Sequence, residues 1–84
     1  MIKLFVAQLD YGVTSESLET TFSEYGSVSS AHVVTDRETG RSRGFAFVEM
    51  ENHEDGELAM RELDGSELRG RTIVVKQAED RGQR

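Results

Sequence analysis

Arg43-Gly44-Phe45-Ala46-Phe47-Val48-Glu49-Met50 presents two unlike faces when read as a β-strand. Side chains alternate with period two, so Gly44, Ala46, Val48 and Met50 fall on one side and Arg43, Phe45, Phe47 and Glu49 on the other. The first set is a sufficient core face by itself. The second carries two large aromatics and a guanidinium with no interior left to occupy. Aromatic rings beside a fixed cation on an open sheet suit unstacked nucleobases, whose flat π-faces need a partner whatever their sequence.

Working outward, Lys3–Leu9 reads as another strand, with Leu4 and Val6 on one side and Lys3, Phe5 and Ala7 on the other. Thr14 is a plausible N-cap for a helix over Thr14–Tyr25, in which Leu18, Phe22 and Tyr25 recur at helical spacing and Gly26 offers a left-handed C-cap. Val28–Thr35 is rich in β-branched residues, and Asp36–Gly40 is a polar loop before the decisive strand. Asn52 caps a second helix to Asp64, with Gly56, Ala59, Met60 and Leu63 as its inner stripe. Gly56 lowers helix stability by up to about 1 kcal/mol relative to Ala, which implies that the helix needs a small residue to lie close to the sheet. Arg71–Gln77 reads as the last strand, with Ile73 and Val75 inward and Thr72, Val74 and Lys76 on the side of the aromatics. The order β-α-β-β-α-β is the split βαβ, ferredoxin-like arrangement: an α+β fold with two helices on one face of a four-stranded antiparallel sheet. That topology serves many functions and by itself names none.

The octet resembles the longer signature of the RNA recognition motif family, Lys/Arg-Gly-Phe/Tyr-Gly/Ala-Phe-Val-x-Phe/Tyr, and departs from it only at Met50. Leu4-Phe5-Val6-Ala7-Gln8-Leu9 resembles the family's shorter signature on the first strand, with Ala7 and Gln8 where the family most often has Gly and Asn. The resemblance covers roughly Lys3 to Ala78, and the segment Gly65–Arg81 is similar to the small glycine-rich and bacterial single-domain members. It implies a strand order of 4-1-3-2, with both motif strands central. It also implies that the rings matching Phe5 and Phe47 each stack on a base and that the ring matching Phe45 packs on ribose. Arg43 matches a phosphate-binding cation; Lys3, Arg41 and Lys76 lie where they would contact phosphate or base edges. Sequence preference would come from Gln8, Gln77 and the backbone near Ala78.

The chain has 84 residues, enough for one small domain, and residues 79–84 are expected to form a flexible tail. It contains no cysteine, which excludes disulfides, thiolate metal sites and cysteine nucleophiles. No apolar run is long enough to span a bilayer and no signal-peptide pattern opens the chain, so a cytoplasmic protein is expected, or a nuclear one if the source is eukaryotic. The net charge of −6 opposes nucleic-acid binding, but its distribution matters. The two helices hold eight acidic residues and one basic, leaving nine basic and eight acidic elsewhere. Screening acts over about 8 Å at physiological salt, so an acidic helical back weakens long-range attraction without cancelling a local basic front.

A one-residue slip would bury the phenylalanines, yet it would turn Leu4, Val6, Ala46, Val48 and Met50 outward together. The stronger rival is a protein-interaction module using the same aromatic sheet or the acidic helices. No carboxylate, serine or histidine stands in a catalytic spacing, and Gly40–Gly44 is not a phosphate-cradling NTPase loop. His32 could share the aromatic side, while His53 begins a helix and reads as solvated. The expectation is a non-enzymatic monomer without metal or cofactor that binds short single-stranded RNA. Single-stranded DNA and a protein partner are the open alternatives.

Overall fold

The computed structural model describes residues 1–78; the tail expected over residues 79–84 lies outside them. The elements run β1 (Ile2–Ala7), α1 (Ser15–Ser23), β2 (Val28–Thr35), β3 (Ser42–Met50), α2 (His53–Leu63), β4 (Glu67–Leu68), β5 (Arg71–Thr72) and β6 (Val74–Gln77). The main sheet is antiparallel with order β2-β3-β1-β6, so the two motif strands lie side by side at its centre. Both helices pack on one side. This is the α+β, ferredoxin-like fold.

Local chemistry explains the helix starts. The Thr14 hydroxyl accepts from the Ser17 amide at 3.1 Å, and Asn52 Oδ1 accepts from the Glu54 and Asp55 amides at 2.9 and 3.3 Å. Each cap satisfies amides that the first helical turn leaves without a partner. Leu18 and Phe22 of α1 and Gly56, Ala59 and Leu63 of α2 are buried against Ile2, Leu4, Val6, Ala46, Val48, Met50, Ile73 and Val75. Met60, expected on the inner stripe, is only half-buried. Gly56 has no room for a side chain, because a Cβ there would overlap Ile2 Cγ2.

Two local expectations need correction. Gly26 does not take a left-handed cap conformation; its φ is 159°, and its Cα lies against the Asp55 side chain instead. The strand expected over Arg71–Gln77 is broken at Ile73. Its first part pairs with Glu67–Leu68 in a separate two-stranded hairpin, turning through Arg69 and Gly70 at φ 54° and 85°. Positive φ at both loop residues is what a type I′ two-residue hairpin turn requires. Ile73 accepts from the Gly65 amide at 2.8 Å and donates to Ser66 at 2.9 Å, and only from Val74 does the chain join the main sheet.

The sheet edges are partly occupied. Val33 on β2 donates to Ser15 Oγ at 3.0 Å, and Val75 on β6 donates to Asp64 Oδ1 at 3.0 Å. These bonds remove edge amides that could otherwise template pairing with another chain.

Candidate nucleic-acid interface

The side of the sheet away from the helices is built from cross-strand rows, in which directly opposed residues share a face. The register aligns Lys76 with Phe5, Phe5 with Phe47 and Phe47 with His32, a row that crosses all four strands. One step along, Val74, Ala7 and Phe45 are aligned. One step the other way, Lys3 opposes Glu49, which opposes Ser30. The phenylalanines are therefore neighbours because of strand register, and they are only partly buried.

The Phe5 ring centroid lies 5.7 Å from Phe45 and 5.5 Å from Phe47, tilted by 46° and 49°. Phe45 and Phe47 meet edge to face at 6.3 Å. Tilted and edge-to-face pairs at these separations are favourable for rings whose faces are electron-rich and edges electron-poor. Lys3 Nζ stands 5.1 Å from the Phe47 centroid, within cation–π reach. The cluster is a shallow aromatic platform with cations at its margin. Beneath it, Met50 is completely buried, so its departure from the aromatic usual at that motif position is a change in core packing.

The remaining candidates are distributed around this platform. Gln8 follows β1, exposed, with φ at 62°. Asn tolerates that left-handed region better than Gln, which accounts physically for the Asn usual at this motif position. Arg43 is exposed near the start of β3, where Gly44 has φ 84° and the β2–β3 register shifts. Simple alternation from Phe45 back to Arg43 is interrupted there. Arg41 is exposed in the loop, whose ends are tied by the Asp36 amide to the Arg41 carbonyl at 2.8 Å. Ala78 donates its amide to the Lys3 carbonyl at 2.8 Å and so continues the edge of the platform. Gln77 is the residue whose placement differs most from a shared-face reading. It opposes the fully buried Leu4, so its side chain starts on the helix side; it lines a recess at the sheet end with Lys3 and Ala78.

Tyr11 is an aromatic that the sequence reading missed. It is 71% exposed, and a Cβ placed on Gly44 would lie 3.6 Å from its Cε1, so its ring lies beside the start of β3. Its signal was an aromatic inside a turn, belonging to no strand or helix period. Nearby, Asp10 accepts from the Gly12 amide at 2.9 Å and from Arg69 Nε at 3.4 Å. The Gly12 bond foremost, with the Arg69 and Arg71 charges, holds the Asp10 carboxyl below its ordinary range against a smaller opposing effect of burial. Among the described residues, the basic and acidic side chains in contact are Arg69 with Asp10 and the His53 imidazole with Glu57, the latter at 3.1 Å within α2. Lys3, Arg41, Arg43 and Lys76 therefore have no acidic partner among the described residues.

An aromatic platform thus lies open on the two central strands of this fold, the strands that carry both signature segments. The family model for the RNA recognition motif matches residues 4–74, and the chain belongs to that family. It is 50% identical over 82 residues to the chloroplast RNA-binding protein CP31B of Arabidopsis thaliana, an alignment covering 98% of this chain but 28% of that protein. It is 48% identical over 80 residues to RbpE of Nostoc sp., covering 95% of this chain and 81% of the relative. The crystal structure of an RNA-binding protein, PG1, superposes with a TM-score of 0.93 at 48% identity, covering 96% and 98% of the two chains. The chain thus spans about a quarter of its chloroplast relative and most of its Nostoc one.

Proposed function

We propose that this domain binds short single-stranded RNA, without catalysis, on the face bearing Phe5, Phe45 and Phe47. The row Lys76–Phe5–Phe47–His32 carries the proposal, because it sets two stacking rings between an ammonium and an imidazole on a face no helix covers. Bases stack on Phe5 and Phe47, and Phe45 packs on the ribose between them. Lys3, Arg41, Arg43 and Lys76 meet phosphates or base edges. Gln8 and the backbone at Ala78 contribute sequence preference, with Gln77 reaching only the end of the site. The names of the relatives support RNA over a protein partner on this face.

Each stacked base contributes about 1–3 kcal/mol, and one domain engages few bases, so affinity is expected in the micromolar range. Three or four phosphate contacts give a log affinity–log salt slope of about −2 to −3, at roughly −0.7 per contact for single strands. Fluorescence anisotropy with a pool of short RNAs across a salt series measures it. Arg43→Ala should reduce the slope by one contact's share. Affinity insensitive both to salt and to Arg43 would favour a protein partner instead.

A further inference from the structure

Glu49 is an acid on a face that we read as meeting RNA, and phosphate contact does not explain it. We propose that Glu49 and Lys3 together select guanine for the base stacked at Phe47, an inference that rests on the RNA-binding reading. The two residues are directly opposed across β1 and β3, yet they form no ion pair among the described residues. Lys3 is held over the Phe47 ring at 5.1 Å, and Glu49 Oε1 lies 3.5 Å from Ser30 Oγ. Donor and acceptor thus stand side by side, each available to a third group. They also line one recess of about 280 Å³ at the end of the platform, together with His53, Gln77 and Ala78.

An ionised carboxylate only accepts hydrogen bonds and an ammonium only donates them. Uracil offers one N–H between two carbonyls, which a carboxylate would repel. Adenine and cytosine each offer an amino group beside a ring acceptor. Guanine alone sets two donors, N1–H and the N2 amino group, next to one acceptor, O6. Glu49 matches the donors and Lys3 matches O6, a pairing Lys makes readily. A carboxylate placed here repels phosphate, and base donors of this kind are what it can gain from a bound RNA.

The test uses anisotropy with pentauridylate, its five single-guanine variants, and inosine at the preferred position. A matched donor–acceptor set discriminates by about tenfold or more, so one guanine variant should bind at least that much tighter than pentauridylate. Inosine, lacking the N2 amino group, should fall between. Glu49→Ala and Glu49→Gln should each remove most of the guanine preference by weakening binding of the guanine variant, while pentauridylate binds as tightly as to the wild type or more tightly, because a repelling carboxylate is gone. Equal affinity for all five variants and pentauridylate, or a preference that survives both substitutions, would overturn the guanine inference and leave RNA binding standing. Absence of binding to any of these RNAs and to a mixed pool would overturn both readings together.

Discussion

Replacing Phe5 with alanine separates a functional ring from a structural one. Phe5 touches both other rings, at 5.7 and 5.5 Å, and stands opposite Phe47 on one strand and Lys76 on the other. Its removal abolishes two aromatic pairs, each worth about 0.5–1.5 kcal/mol beyond area burial. The ring is partly exposed and solvent can fill the vacated space, so the lower part of that range applies: about 1–2 kcal/mol in total. A buried phenylalanine such as Phe22 would cost about 3–5 kcal/mol. The binding loss should be at least as large as the stability loss, about 1–3 kcal/mol for the stacked base, or roughly 5- to 150-fold in affinity. Urea denaturation measures the first quantity, and anisotropy on the folded protein measures the second. A stability loss above about 3 kcal/mol with unchanged RNA affinity would show that Phe5 belongs to the core and would refute the assignment of faces.

The complementary change, Met50→Ala, should cost about 2–5 kcal/mol in urea denaturation through lost burial and a residual cavity, and leave the affinity of the folded fraction intact. Gly56→Ala sets helix propensity, a gain of up to about 1 kcal/mol, against overlap with Ile2 Cγ2, an overpacking cost of about 1–3 kcal/mol. The net effect should be destabilising, and Ile2→Leu, which lacks that methyl, should relieve it in a double-mutant cycle by chemical denaturation. The Asp10 carboxyl is lowered in the folded state, so its contribution to stability is fully present above its ordinary value of 3.8 and is lost as pH falls through the lower folded value. Denaturation midpoints of the wild type and Asp10→Asn should therefore differ at neutral pH and converge in acid.

The parts of the fold set by short-range rules were legible in the chain. Alternation through Phe45–Met50 gave the correct faces because that segment is a regular strand opposite β1. Thr14 and Asn52 announced the helices because their side chains bond the first free amides. Gly56 announced the close approach of α2, because only a missing Cβ fits there. What was not legible depends on partners distant in sequence or on a single backbone turn. The break at Ile73 arises from pairing with Gly65 and Ser66, and Arg69-Gly70 is a weaker hairpin signal than Asn-Gly. Gln77 needed the β1–β6 register, and Tyr11 needed the fold to bring its turn beside Gly44. The three rings were found by parity, but their mutual contact is a product of register.

The most direct test of the central claim follows backbone amide shifts of isotope-labelled protein as a short single-stranded RNA is added. The account predicts that the responsive amides belong to Lys3, Phe5, Ala7, Phe45, Phe47, Glu49, Lys76 and Ala78, with α1 and α2 nearly silent. It predicts that the responses shrink together in Phe5→Ala. An inert sheet, with the shifts confined to the acidic faces of α1 and α2, would contradict it.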